Sequence, residues 1–359
     1  MTTADSDEAP VLLRTQGRAG HIVLNRPRTI NALNHPMVRL MDDALSGWER
    51  DEAVATVILT GAGARGLCAG GDIRSIHDDI RAGGGSASVA FWRAEYRLNA
   101  RIARFPKPYV AVMDGIVMGG GVGVSAHGSV RIVTERSRIA MPETGIGFVP
   151  DVGGTYLLTR APGELGTHLA LTGAAVGAGD ALLCGIADHY VPSERLPDFT
   201  AALADTDVGE AIERYATAAP EGELAAHREW IDACYAADSV EEIVDRLYNS
   251  GDQAAKETAE TILGKSPTAL KVTLASLRRA RALSSLEEVL DQEYRVSATA
   301  ITAPDMVEGI RAQVVDKDRN PHWSPAELRQ VTDADVARHF APRDGDELGL
   351  APGTAPRCP

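Results

Sequence analysis

The sequence predicts an α/β fold with a helical C-terminal region, and three observations predict it. Short β-branched runs alternate with helical stretches between about residues 10 and 200. Strand signals then stop near residue 205, and helical spacing of apolar residues continues alone. With 359 residues, 44% of them hydrophobic and 24% charged, the chain can bury a substantial core without a disulfide or metal staple. That length accommodates one large domain or two of moderate size.

Taken in order, HIVLN (21–25), TVILTG (56–61), PYVAVMDG (108–115), VRIVTE (130–135) and ADHYV (187–191) read as strands. Helices are expected over about 34–50, 72–82, 88–104, 120–127, 153–161, 164–172 and 178–184. Beyond 205, EEIVDRLYN, AAKETAETILGK, PTALKVTLASLRRARAL and SLEEVLDQEYRVSATAI carry helical periodicity, and Ser284 with Glu287 is expected to form a capping box. The predicted organisation is therefore an α/β core over 10–205 and a helical region over 206–341. Disordered tails are expected at 1–9 and 342–359, the second rich in Gly, Pro and charge.

Composition excludes several functions. Fifty acidic against 36 basic residues give a net charge of −14, which disfavours contact with nucleic acid or an anionic membrane. No apolar run approaches the ~20 residues that span a bilayer. The opening MTTADSDEAP is unlike a signal or Arg-rich transit peptide, so a cytoplasmic enzyme is expected. Cys68, Cys184, Cys234 and Cys358 lack C-x-x-C spacing, and no H-E-x-x-H occurs, so neither a disulfide scaffold nor a metal is expected. Aromatics make up only 5%, so the core is built mainly from Ala, Val, Leu and Ile.

Two motifs mislead. GAGARG (61–66) satisfies G-x-G-x-x-G after a strand, but its glycines run into LCAGG rather than opening a helix, and no second strand follows in 72–104. Ser125 and His127, two positions apart on a predicted helix, point in different directions and do not form a nucleophile pair.

The chemistry lies in three segments. LCAGGDIRSI (67–76) and MDGIVMGGGVGVSAHG (113–128) each stand between a strand and a helix. Glycine lets backbone approach a ligand closely, and free N–H groups at a helix start suit a negative oxygen. Two such turns together make an oxyanion hole; either alone also reads as a tight turn in a compact core. In SRIAMPETGIGFVPDVGGTYLLTR (137–160), Glu143 and Asp151 stand among apolar residues and glycines, where charge is costly unless paired or used. Asp151 also reads as a helix N-cap, and Glu143 as an acceptor for backbone N–H groups.

HIVLNRPRTINAL (21–33), CAGGDI (68–73), DGIVMGGGVG (114–123) and MPETGIGFVPDVGG (141–154) resemble the crotonase superfamily, the enoyl-CoA hydratases and isomerases. SPTALKVTLASL, QEYRVSATA and EGIRAQVVDKDRNPHW extend the resemblance, to the 3-hydroxyisobutyryl-CoA hydrolase branch, over about residues 10–340. The resemblance implies a crotonase-type ββα spiral core. It implies an oxyanion hole from the N–H groups of Gly71 and Gly120, catalysis by Glu143 and Asp151, and a substrate contact at Glu95. It further implies CoA adenine near Ala69, with Arg26 or Arg74 as phosphate or nucleotide contacts. Hydratases of the superfamily carry a second glutamate where this chain has Gly123, which weakens a hydratase reading. The implied reaction is hydrolysis of a short β-hydroxyacyl-CoA thioester, 3-hydroxyisobutyryl-CoA in valine breakdown, with no cofactor beyond the CoA of the substrate. The alternatives are an enoyl-CoA hydratase or isomerase using Glu143 as acid/base, and a non-catalytic CoA- or RNA-binding relative. A homo-oligomer is compatible with the resemblance, since many crotonases form trimers through C-terminal helices, whereas a longer helical region can fold back over its own core.

Overall fold

A computed structural model describes residues 9–343 and 345–351. The chain divides into two compact units interleaved along the sequence. The first comprises residues 1–71, 97–140 and 176–223, and the second 72–96, 141–175 and 224–359. These units do not follow the linear division expected at residue 205. Sequence texture reports where strands give way to helices, whereas compactness follows long-range packing.

All the strands described lie in the first unit: β1 (Val11–Gln16), β2 (Ala19–Leu24), β3 (Thr56–Gly61), β4 (Tyr109–Met113), β5 (Ile116–Met118), β6 (Val130–Val133), β7 (Arg138–Ala140) and β8 (His189–Tyr190). Six form one sheet in the order β1-β2-β3-β4-β6-β8, antiparallel only at the β1–β2 hairpin. The central strands β3 and β4 read TVILTG and YVAVM because a parallel sheet covered on both faces tolerates little polarity. Ala19, Ile58, Val110, Val112, Ile132 and Val191 form a core there with Phe199 and Leu203. The remaining strands, β5 and β7, pair parallel in a separate two-stranded sheet. With three residues each, they are too short to carry a sequence pattern, and β1 lies mostly exposed at a sheet edge; none of the three was predicted.

One side chain organises the loops at this end of the sheet. Asn31 is fully buried, with its backbone in the left-handed region at φ 55°, which Asn tolerates better than most residues. Its amide donates to the carbonyls of Ala62, Gly66 and Leu67 at 3.1, 3.3 and 3.0 Å, and its Oδ1 accepts from the Arg26 N–H at 2.9 Å. The GAGARG segment is thus a loop pinned from behind, and no helix begins until Ile73.

The second unit is helical. Its longest members include Leu224–Tyr235, Pro267–Ala280 and Leu286–Ala300. The capping box on the last of these is formed by Ser285 and Glu288, one residue later than the sequence pattern placed it. The expected disorder from residue 342 does not hold for residues 342–343 and 345–351. Arg93 donates to the Glu347 carbonyl and Arg295 to its carboxylate, while the Asp291 carboxylate accepts from the Leu350 and Ala351 N–H groups at 2.9 and 3.1 Å. Composition reports low apolar content but not the specific partners that hold a polar segment. Residues 1–8, 344 and 352–359 of the expected tails lie outside the described residues.

Removing the Asn31 amide strands two buried carbonyls, so Asn31→Ala is expected to lower stability by about 2–4 kcal/mol in chemical denaturation. Asn31→Gly relieves the left-handed backbone but not the lost bonds, and is expected to recover only a part of that loss.

Candidate active site

The two glycine-rich turns come together within the first unit. The Leu67 N–H donates to Asp114, Cys68 N–H to Ile116 and Met118 N–H to Cys68, at 3.0, 3.1 and 2.9 Å. Approach is close enough that glycine is required. A Cβ on Gly121 would lie 2.5 Å from the Cys68 carbonyl oxygen, and Gly119 adopts φ 49° ahead of the helix Gly120–Ser125. A Cβ on Gly70 would lie 3.7 Å from the Gly120 nitrogen. Neither the Gly71 nor the Gly120 N–H donates to an acceptor among the described residues, so both remain available to a ligand.

The acids gather in the second unit. Glu143 opens the short 3-10 turn Glu143–Ile146, and Asp151 precedes a second tight turn. Exposures of 2, 6, 5 and 1% place Glu95, Glu143, Asp151 and Glu293 in the interior. The Tyr96 hydroxyl donates to Asp151 Oδ2 at 2.7 Å and lies 2.8 Å from Ser297 Oγ. Asp151 does not cap the helix Gly154–Leu158. Its N-cap is Gly153, and the Glu293 carboxylate accepts from the Gly153 and Thr155 N–H groups at 2.6 and 2.9 Å. By contrast, Glu95 Oε1 and Glu143 Oε2 have no hydrogen-bond partner among the described residues. A buried carboxyl oxygen left in that state is poised for a ligand.

Burial without an ion-paired cation governs the electrostatics. Desolvation pushes Asp151 up to about 7, against the opposing hydrogen bond from Tyr96. It lifts Glu293 to about 8, although three protein donors favour its charged form. Glu143 rises well above the usual carboxylate range through burial and then through the charges of Asp151 and Glu293. Glu95 rises through burial and the Asp151 charge. Like-charged groups held this close titrate as a set and retain protons near neutrality.

Comparison with known proteins places the chain in a family. The model of the family described as enoyl-CoA hydratase/isomerase matches residues 19–340. The chain belongs to the enoyl-CoA hydratase/isomerase family. Similar curated relatives are the mitochondrial 3-hydroxyisobutyryl-CoA hydrolases of Rattus norvegicus (43% identical, covering 93% of this chain and 89% of the relative) and Homo sapiens (42%, 94% and 90%). Among solved structures, one described as a carnitinyl-CoA dehydratase from Mycobacterium thermoresistibile aligns with TM-score 0.92 at 53% identity, covering 95% of this chain and 98% of its own. Another, an enoyl-CoA hydratase from Rhodobacter sphaeroides 2.4.1, gives 0.90 at 44%, with 95% and 99% coverage. The fold is therefore the crotonase fold with a helical C-terminal region. The expected cytoplasmic location is overturned by the curated relatives, whose names place them in mitochondria. Composition of a folded chain carries no cellular address.

Against the residues that family resemblance singles out, the structure gives mixed placements. Gly71, Gly120 and Ala69 lie in the paired turns of the first unit, and Ala69 N–H donates to Ile30 at 2.9 Å. Glu95, Glu143 and Asp151 lie in the buried acidic set of the second. The Arg26 guanidinium donates to the Ala32 carbonyl within its own loop, and Arg74 donates to the Val314 carbonyl at 3.0 Å. Among the described residues, no group of three His, Cys, Asp or Glu is arranged to hold a metal ion, and no helix is long and apolar enough to cross a membrane. Tyr96, Glu293 and Ser297 were missed from sequence. Their one local signal is Glu293 and Ser297 four apart on an otherwise apolar helix face.

A carboxyl raised in the folded state stabilises the protein below its unfolded pKa, and that contribution is lost as pH rises through the folded value. Asp151 and Glu293 place this window between about 4 and about 8. The melting temperature is expected to fall across it, and Asp151→Asn is expected to flatten the fall; a scan of Tm against pH in both proteins measures this.

Proposed function

We propose that this protein hydrolyses the thioester of a short-chain β-hydroxyacyl-CoA, 3-hydroxyisobutyryl-CoA in valine breakdown, to the free acid and CoA. The observation that carries the proposal is the arrangement of its acids. Glu143 and Asp151 share one buried set, while position 123, where hydratases hold a second acid, is a glycine inside the helix Gly120–Ser125. The names of the curated relatives support the same activity.

In this reading the Gly71 and Gly120 N–H groups hold the thioester oxygen as it becomes negative. Glu143 acts from its unpartnered oxygen in one of two ways. As a nucleophile it forms a mixed anhydride that expels the CoA thiolate, and water then opens the anhydride to regenerate the carboxylate. As a general base it takes a proton from water, which adds to the carbonyl before the C–S bond breaks. Either route consumes one water, breaks C–S, forms C–O and leaves the thiol protonated. Asp151, protonated over part of the neutral range, binds the substrate hydroxyl or orients water, and Glu95 recognises the hydroxyl end. CoA enters with the substrate, with Ala69 near its adenine and Arg26 or Arg74 toward its phosphates once released from their carbonyls. No other cofactor is required.

A second reading, hydration or dehydration of an enoyl-CoA, is favoured by the 53% identity to the protein described as a carnitinyl-CoA dehydratase. Incubation with 3-hydroxyisobutyryl-CoA and with crotonyl-CoA, followed by free-thiol detection, separates the two because only hydrolysis releases CoASH. Rapid thiol release from the first substrate is expected; hydration without thiol release would sink the hydrolase proposal. Glu143→Gln is expected to lower kcat by about 10²–10⁴. Because the working form is the ionised carboxylate and its pKa is raised, wild-type kcat is expected to fall on acidification already near neutral pH. Single turnover in 18O-labelled water with mass spectrometry of Glu143 then distinguishes the routes, since only the anhydride leaves label on Glu143.

A further inference from the structure

The turn that carries Asp151 is strained. Val152 adopts φ 54°, a left-handed backbone that a β-branched residue avoids, and Gly153 follows at 78°. Such a conformation persists only where its surroundings enforce it. Within the second unit the helix Leu286–Ala300 does so with two side chains four residues apart on one face. Ser297 holds Tyr96, whose hydroxyl holds the Asp151 side chain. Glu293 holds the main chain just beyond it, with Oε2 accepting from Gly153 N–H and Oε1 from Thr155 N–H and Thr155 Oγ1, the last at 2.6 Å.

We propose that Glu293 is a positioning residue for the reaction, fixing the Val152–Gly153 turn so that the Asp151 carboxyl stays in the buried set with Glu143. A neutral Ser, Asn or Gln would cap a short helix at far smaller desolvation cost. A carboxyl is the costliest choice beside Asp151 and Glu143, and its two oxygens together accept from three donors of the turn. The titratable groups facing Glu293 in this set are Asp151 and Glu143 from the 141–155 segment and Tyr96 from the helix Ser86–Ala103, while Glu95 on that helix faces Asp151. No Lys, Arg or His forms an ion pair with any of these four carboxylates among the described residues.

The inference rests on the hydrolase reading, and the test separates the two. Glu293→Gln replaces one acceptor oxygen by an amide that opposes an N–H. Its kcat for thiol release is expected to fall by about 10²-fold with KM little changed. The acid limb of its pH profile is expected to move to lower pH, because Glu143 ionises more easily once the Asp151 carboxyl is no longer held beside it. The Glu143 carboxyl, followed by 13C NMR in Glu-labelled protein and assigned with Glu143→Gln, is expected to titrate lower in the same direction. Wild-type protein that releases no thiol defeats the hydrolase reading, while the NMR titration still reads the inference. Unchanged kcat, pH profile and Glu143 titration in Glu293→Gln overturn the inference, even where its Tm falls. If that variant does not fold, Thr155→Val removes one of the three donors and leaves the carboxyl. A several-fold loss of kcat is then expected, and wild-type kcat overturns the proposal.

Discussion

Burying carboxyl groups together without a cation is the constraint from which the rest of this molecule follows. Glu95, Glu143, Asp151 and Glu293 are all withdrawn from water, and among the described residues no Lys, Arg or His forms an ion pair with them. An isolated buried carboxylate is costly, and several together cannot all ionise near neutrality. The set must hold protons, and its members differ by what donates to them. Glu293 has three donors and Asp151 has Tyr96, whereas one oxygen each of Glu95 and Glu143 has none. The group with an open oxygen and a raised proton affinity is the one suited to meet a substrate.

Much of this was legible in the sequence. Acids among glycines and apolar residues marked Glu143 and Asp151, since charge in such company demands a reason. Glycine clusters at strand–helix junctions marked the two turns, the family resemblance singled out Gly71 and Gly120 within them, and the structure shows the steric need at Gly121 and Gly70 beside them. The central strands β3 and β4 announced themselves through continuous burial. What stayed hidden was long-range. Tyr96 and Ser297 are 201 residues apart and Glu293 is 140 from Gly153, separations that no local periodicity encodes. The segment 345–351 was misread for the same reason, because its order comes from Arg93, Asp291 and Arg295 rather than from its own composition.

Relatives with near-identical folds are described by different activities, as hydrolase, dehydratase and hydratase. Under the hydrolase proposal, the fold supplies main-chain donors from two glycine turns that stabilise a thioester oxygen. The same proposal takes the second acid from a different place than a hydratase does. In this chain the helix face next to the glycine triplet is bare at Gly123, and a carboxyl arrives instead on a strained turn eight residues beyond Glu143. A change of reaction therefore needs support for that turn as well as the acid itself.

The separation between the turn and its braces has a consequence for synthesis. At about 5–20 residues per second, the 140 residues between Gly153 and Glu293 take roughly 7–28 s to translate. Throughout that interval Asp151 and Val152 exist on the nascent chain without Glu293 or Ser297. The Val152 turn is free to relax, and the acids are free to stay hydrated with ordinary proton affinity. The helix Leu286–Ala300 has to dock before the acids become unusual, so their raised proton affinities are among the last properties the growing chain acquires.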